Sequence, residues 1–327
     1  MLTKSLYNLC LLISTPYEDL NLFSNKSYDL DPHILEEIYL EKLFDFKWRK
    51  KANSLFSNFQ FDYNYEILEQ NLKFIKLKLN LKIYFIVQNS SPNILSACIH
   101  EYIVILEYLH TSFKIQFLTE KESNQSLYNM TLNMDLSQIE HYIFPKNQFL
   151  WTNKLSSIDL LYETFMTSSF FFNNNSHKRS YSNFNISEAC NYAETFALKS
   201  NPNYKSFENI GGDCTNFVSQ ILYAGGVKQT KTWHPYTNSW VRVEDIYLYL
   251  TTNNLATKLS NENSLSKGCV IQFYTPKIGR FFHNGFITYE LPNKDYLYCC
   301  HSYNKLNYPL SETFPKRYPT LRALIIN

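Results

Sequence analysis

All seven glycines of this 327-residue chain fall between Gly211 and Gly285, and the 210 residues before them contain none. Glycine reaches positive φ at little cost and lets a ligand or second backbone approach closely. The special geometry that a site requires is therefore expected in the C-terminal part. The chain is about twice the usual single-domain length, so two domains are expected.

The N-terminal part reads as one helix on an antiparallel sheet. Asp31 and Pro32 suit an N-cap and first helical position, Ile34, Ile38, Phe44 and Trp48 give an apolar face, and Arg49 to Lys51 suit the C-terminal dipole. Leu77, Leu79, Leu81, Ile83 and Phe85 alternate with Lys78, Asn80, Lys82 and Tyr84, the pattern of a half-buried strand. Tyr102 to Leu109, and the alternating Phe113, Ile115 and Phe117, supply further strands. The expected fold class is α+β, with a small domain over 1–125, a connecting segment with one short helix over 126–180, and a second domain over 181–327. The first domain carries no catalytic constellation and is expected to hold a partner, restrict a cleft or dimerise.

Formal charge is only +2, with no outstanding Lys/Arg run, so no nucleic-acid partner is called for. Seven cysteines, an odd number without C-x-x-C spacing, fit neither a disulfide framework nor a zinc site, and neither metal nor cofactor is expected. Lys4 and the run Leu6 to Ile13 have the outline of a secretory signal, but Tyr7, Asn8 and Cys10 interrupt it and no small-residue cleavage site follows before Pro16. No run reaches the roughly 18 apolar residues of a membrane span. A cytoplasmic location is expected, with a secreted or cell-wall location as the alternative.

The second domain opens with Ala189, Ala193 and Ala197 at four-residue spacing, a helix with a small-residue stripe that Asn201-Pro202-Asn203 stops. The stretch Gly211-Gly212-Asp213-Cys214-Thr215-Asn216-Phe217-Val218-Ser219-Gln220 then leads into Gly225-Gly226. Phe217, Val218, Ile221 and Leu222 lie at helical spacing, with Asp213 as the expected N-cap and Gly225 as the expected C-terminal stop. Cys214 falls in the first turn, where unpaired backbone N–H groups and the positive dipole end favour thiolate and can hold an oxyanion, the Cys214 N–H among them.

A thiolate acting on amides needs a base that returns a proton to the leaving amine. Two strands joined at Pro292-Asn293 carry His283 and His301, and the hairpin sets His283 across from residues 301 to 303. His301 could then orient His283. Each residue also has a plainer role. A cysteine early in a helix is commonly a small buried hydrophobe, and a histidine on an apolar strand is commonly a structural hydrogen-bonding group. Cys190, Cys269, Cys299 and Cys300 read as inert thiols, and His234 as a surface residue. Trp233, Tyr236 and Trp240 either line a substrate cleft or pack.

At these residues the sequence resembles the bacterial "putative amidase domain" family, relatives of the papain-like hydrolases of the NlpC and CHAP groups. The resemblance runs from Tyr181 through Tyr192-Ala193 and Asn201-Pro202-Asn203-Tyr204. It is closest over Gly212 to Gln220, and continues through Gly225-Gly226, Trp233, Ser239-Trp240 and Gly268 to His283 and His301. It implies a papain-like α+β catalytic domain, with Cys214 on a helix, His283 on the sheet and His301 as the third, orienting residue. Cys269 stands where the family usually has Asp, and Asn284 where Ser commonly follows the histidine. The resemblance implies a cysteine amidase or peptidase whose substrates are peptides or peptidoglycan stem peptides. Acyl transfer from the same thioester and a non-catalytic binding or assembly module are the competing expectations.

Overall fold

The computed structural model describes residues 1–23, 29–88, 90, 93–145, 148–168, 183–208, 210–259 and 265–327. Tyr181 and the polar run Asn173 to Asn175 lie outside the described residues. The protein is α+β, with helices and antiparallel strands in both of its compact units. One unit comprises Met1–Lys51, Leu55–Phe85 and Ile99–Asp159, and the other Ala52–Ser54, Ile86–Cys98 and Leu160–Asn327.

In the first unit, α1 (Leu2–Ser14) forms from the segment that has the outline of a signal sequence, and buries Leu6, Leu9, Cys10 and Leu12. Helix α2 (Pro32–Lys51) starts where expected, with Asp31 Oδ1 accepting from the His33 N–H at 3.1 Å, and buries Ile38, Phe44 and Trp48. Strands β1 (Phe56–Gln70), β2 (Phe74–Val87) and β3 (Leu95–Tyr108) are neighbours in that order, and β4 (Phe113–Glu120) pairs antiparallel with β3. The sequence reading misses β1, although Phe59, Phe61 and Tyr63 alternate with exposed Gln60, Asp62 and Asn64. Its apolar side is only half-buried, so the pattern is weak.

Among the described residues, four helices stand where one was expected: α3 (Gln125–Asn133), α4 (Leu136–His141), α5 (Gln148–Ser156) and α6 (Ile158–Met166). The starts of α3 and α4 were encoded. Asn124 caps α3 through the Leu127 N–H, and Asp135 with Gln138 forms a reciprocal capping box on α4. Leu127, Leu136 and Ile139 then pack with Phe74, Ile105 and Phe117.

In the second unit, α7 (Ile186–Phe196), α8 (Cys214–Ala224), α9 (Asn238–Val241) and α10 (Val243–Thr252) precede β5 (Ala256–Lys258), β6 (Val270–Thr275), β7 (Arg280–Glu290), β8 (Tyr296–Cys300), β9 (Lys305–Pro309) and β10 (Thr320–Ile326). The strand order is β9-β8-β7-β6-β10-β5. Val270, Phe286 and Leu324 share one apolar core with Ala189 and Ala193 of α7 and Phe217 and Ile221 of α8. The alanine stripe is fully buried, as a surface of small side chains in close packing should be.

The end of α8 differs from expectation by one residue. Gly225 keeps helical geometry at φ −73°, and Gly226 takes the left-handed turn at φ +101°, with the Val227 N–H bonding back to Leu222 O at 3.0 Å. Gly225 is small for another reason: a Cβ there would stand 2.2 Å from the Phe184 ring.

Candidate active site

Cys214 opens α8 with only 7% of its surface exposed. Asp213 occupies the N-cap position but makes no side-chain capping bond, contrary to expectation. Its carboxylate is engaged elsewhere. Oδ1 accepts from the Phe207 N–H and the Asn216 side chain, each at 2.8 Å, and Oδ2 lies 2.7 Å from His301 Nδ1. Asp213 therefore ties the loop before the helix to the hairpin beside it.

Burial opposes the thiolate that the helix start is expected to favour. Burial pushes the Cys214 thiol up from its ordinary value. Hydrogen bonds from the Asn284 N–H and from the Thr215 hydroxyl and N–H draw it partway back, and the charge of Asp213 adds a smaller upward push. Desolvation of the charged form outweighs the donors.

The Asn284 N–H that meets the sulfur belongs to the peptide joining His283 to Asn284, so the backbone of His283 runs against the nucleophile. His283 is buried on β7, its ring 5.7 Å from those of Phe273 and Tyr303. The expected juxtaposition of His283 with residues 301 to 303 is thus present through Tyr303. His301 is placed differently from the orienting role. Its Nε2 lies 2.8 Å from Phe196 O, its Nδ1 faces Asp213, and its ring stacks on Phe217 at 3.9 Å and 5°. One ring nitrogen is taken by the end of α7 and the other by the loop that presents Cys214.

Ser302 completes this arrangement at φ 71°, its hydroxyl accepting from the Asp213 N–H. A Cβ at Gly212, which has φ +108°, would stand 3.0 Å from that hydroxyl oxygen. Gly212 is needed both for its conformation and for this close approach.

Trp233 and Trp240 do not line a cleft. Both are fully buried, 4.7 Å apart, and Trp240 Nε1 donates to Asn216 Oδ1 at 2.9 Å. They belong to the core under α8, where two large flat side chains fill volume that no substrate can reach. Tyr236 is half-exposed, and its hydroxyl accepts from the Lys205 N–H at 2.9 Å, beside the loop that Asp213 holds. All seven cysteines are buried thiols. Among the described residues no group of His, Cys, Asp and Glu is placed to hold a metal ion.

Thr215 and Asn284 were missed as site residues. The Thr215 hydroxyl lies 3.8 Å from the Cys214 sulfur and accepts from Asn284 Nδ2 at 2.8 Å. The signal available was an amide residue after His283 in an otherwise apolar strand.

Residues 183–325 match the family model described as "Putative amidase domain". Two relatives from Bacillus subtilis (strain 168) are similar to this chain. The uncharacterized protein YjcM is 36% identical over 131 residues, which are 37% of this chain and 31% of the relative. The uncharacterized protein YhbB is 33% identical over 110 residues, 29% of this chain and 34% of the relative. The match thus spans about a third of the length of these curated relatives. No solved structure matches the chain significantly.

Proposed function

We propose that the second unit is a cysteine-dependent amide hydrolase with Cys214 as nucleophile and His283 as base. His283 takes the thiol proton as the sulfur attacks the carbonyl carbon. The C–N bond then breaks, the leaving amine takes that proton from His283, and a thioester remains on Cys214. Water attacks the thioester after giving a proton to His283, and the returning proton restores the thiol as the carboxylic product leaves. The Cys214 N–H at the start of α8 contributes to the oxyanion hole. Peptides or peptidoglycan stem peptides are the substrate class, on the strength of the family resemblance.

The observation that carries this reading is the setting of the Cys214 sulfur, at a helix N-terminus, under three hydrogen-bond donors and against the His283–Asn284 peptide. It lies within the segment that matches the amidase family model. The test is turnover of a stem-peptide panel by the full chain, with intact-mass detection of an acyl-enzyme on Cys214. Turnover that survives Cys214→Ala would sink the proposal. The burial of Cys214 also favours a second reading, acyl transfer, because a shielded thioester disfavours water. An added amine acceptor then yields a new amide in place of the free acid, whereas a binding module yields neither.

A further inference from the structure

Beneath α8 runs a row of polar side chains that the proposed chemistry does not use. Arg322 on β10, Gln272 on β6 and Asn284 on β7 are directly paired across three adjacent strands. Gln272 and Asn284 are completely buried, and Arg322 nearly so. Burying three such groups in an apolar core is costly unless each is satisfied.

Each is satisfied in one direction only. Arg322 Nε donates to Gln272 Oε1 at 2.7 Å, and Gln272 Nε2 donates to Asn284 Oδ1 at 2.8 Å and to Val243 O at 2.9 Å. Asn284 Nδ2 donates to Thr215 Oγ1 at 2.8 Å. A guanidinium has donors and no acceptor, so Arg322 sets the polarity of everything beyond it. Turning the Gln272 amide over would set donor against donor at Arg322 and oxygen against oxygen at Val243. With Gln272 fixed, Asn284 must present its NH₂ to Thr215. The Thr215 oxygen then accepts, which leaves its own hydrogen to donate toward the Cys214 sulfur 3.8 Å away.

The origin of the chain is itself locked. The Arg322 guanidinium lies between the rings of Tyr247 at 3.7 Å and Phe281 at 3.9 Å, and its Nη2 donates to Glu244 at 2.9 Å.

We propose that Arg322, Gln272 and Asn284 form a one-way hydrogen-bond chain that directs the Thr215 hydroxyl onto the Cys214 sulfur, so that Arg322 is a positioning residue for the nucleophile from across the sheet. This deepens, and rests on, the reading of Cys214 as nucleophile. A directed donor matters most when the sulfur is charged, because hydrogen bonds to ions are stronger and successive bonds polarise one another.

The test uses the full chain and measures the rate at which iodoacetamide alkylates Cys214 from pH 6 to 11, by mass spectrometry of its peptide. Thr215→Val, Arg322→Gln and Gln272→Leu each interrupt or free the chain, whereas Thr215→Ser keeps the hydroxyl. The first three should move the apparent thiol pKa up by about half a unit to one unit, slowing alkylation near neutrality about three- to tenfold. Thr215→Ser should track the wild type.

Among the described residues, the titratable groups bordering Cys214 are Asp213, His283 at the peptide that meets the sulfur, and His301 behind Asp213. All remain in every variant. A purely structural row would lower the melting temperature and leave the profile in place, which overturns the proposal. So does a folded Arg322→Gln or Gln272→Leu protein with an unmoved profile, or an unmoved profile in Thr215→Val, which replaces only hydroxyl by methyl. Turnover is measured separately: full activity in Cys214→Ala would sink the nucleophile reading while leaving the alkylation profiles interpretable.

Discussion

In the first unit, Glu101 is bonded by Lys78 and Lys121, both at 2.8 Å, and all three side chains keep between 19% and 27% of their surface exposed. In the second unit, the Asp213–His301 pair keeps 1–2%, and Gln272 and Asn284 keep none. A partly exposed pair is screened by solvent and adds little to stability. A buried one persists only where its geometry is held on every side, and breaking it leaves a desolvated charge. Buried polar groups, most of them paired with one another, are concentrated in the unit proposed to be catalytic, although Lys76 and Thr131 show that the first unit has some of its own.

Thiols offer the widest test of this contrast. Cys214→Ala and His283→Ala should each lower turnover by about a thousandfold or more, while removing the first unit's buried thiol in Cys10→Ala should leave it within about twofold. Steady-state rates on a stem peptide decide it, and comparable losses on removing Cys10 would break the division.

The ion pairs come next. His301→Gln should cost roughly 3 kcal/mol in urea unfolding, because Asp213 loses its buried partner, and should reduce turnover without abolishing it. Lys78→Met should cost about 1 kcal/mol or less. A His301 variant as inactive as Cys214→Ala would reassign the base.

Acidity should act on the two units in opposite directions. Asp295 is buried beneath donors from Ser54, Ser311 and Tyr296, yet burial outweighs them and raises its pKa to about 6. A raised folded-state value stabilises fully below the unfolded value near 3.8 and is lost as pH rises through about 6. The span is worth about 3 kcal/mol at most. For Glu101, burial pushes upward, but the bonds from Lys121, Lys78 and Tyr128 hold the carboxyl below its ordinary value. Its contribution is present above the unfolded value and disappears as pH falls through the folded one. Hydrogen exchange in the full chain should show peptides around Asp295 gaining protection between pH 7 and 5, and peptides around Glu101 losing it below about pH 4. Asp295→Asn should flatten the first response.

Glycine chemistry gives the smallest effects. Gly226→Ala, at φ +101°, should cost about 1 kcal/mol or slightly more. The first unit reaches left-handed backbone without glycine, at Asn58 (φ 56°) and His110 (φ 58°). His110→Gly should change its stability by only a few tenths of a kcal/mol, about the balance between relieved strain and added chain entropy. Thermal melts at matched pH separate the two.

Local pattern carried much of this into the sequence. The start of α2, the alternation in β2, the buried alanine stripe and the start of α8 at Cys214 each depend on residues within a few positions, so periodicity and capping reveal them. Strand β1 and helices α3 and α4 were legible in principle, through weak alternation and through Asn124, Asp135 and Gln138. What residues 213 to 215 do was not legible. An Asp before a helix reads as a cap, and only folding brings His301 and the Phe207 N–H to draw that carboxylate away. A cysteine at a helix start reads as a thiolate, and only folding supplies the burial that pushes the thiol up against its hydrogen-bond donors. Trp233 and Trp240 have the composition of a binding wall and the position of a core. Sequence determined which residues are helical, extended or turning, because those choices are made by neighbours in the chain. Tertiary structure decided which polar atoms face one another, because Arg322, Gln272, Asn284 and Thr215 are scattered over 108 positions and meet only through strand register.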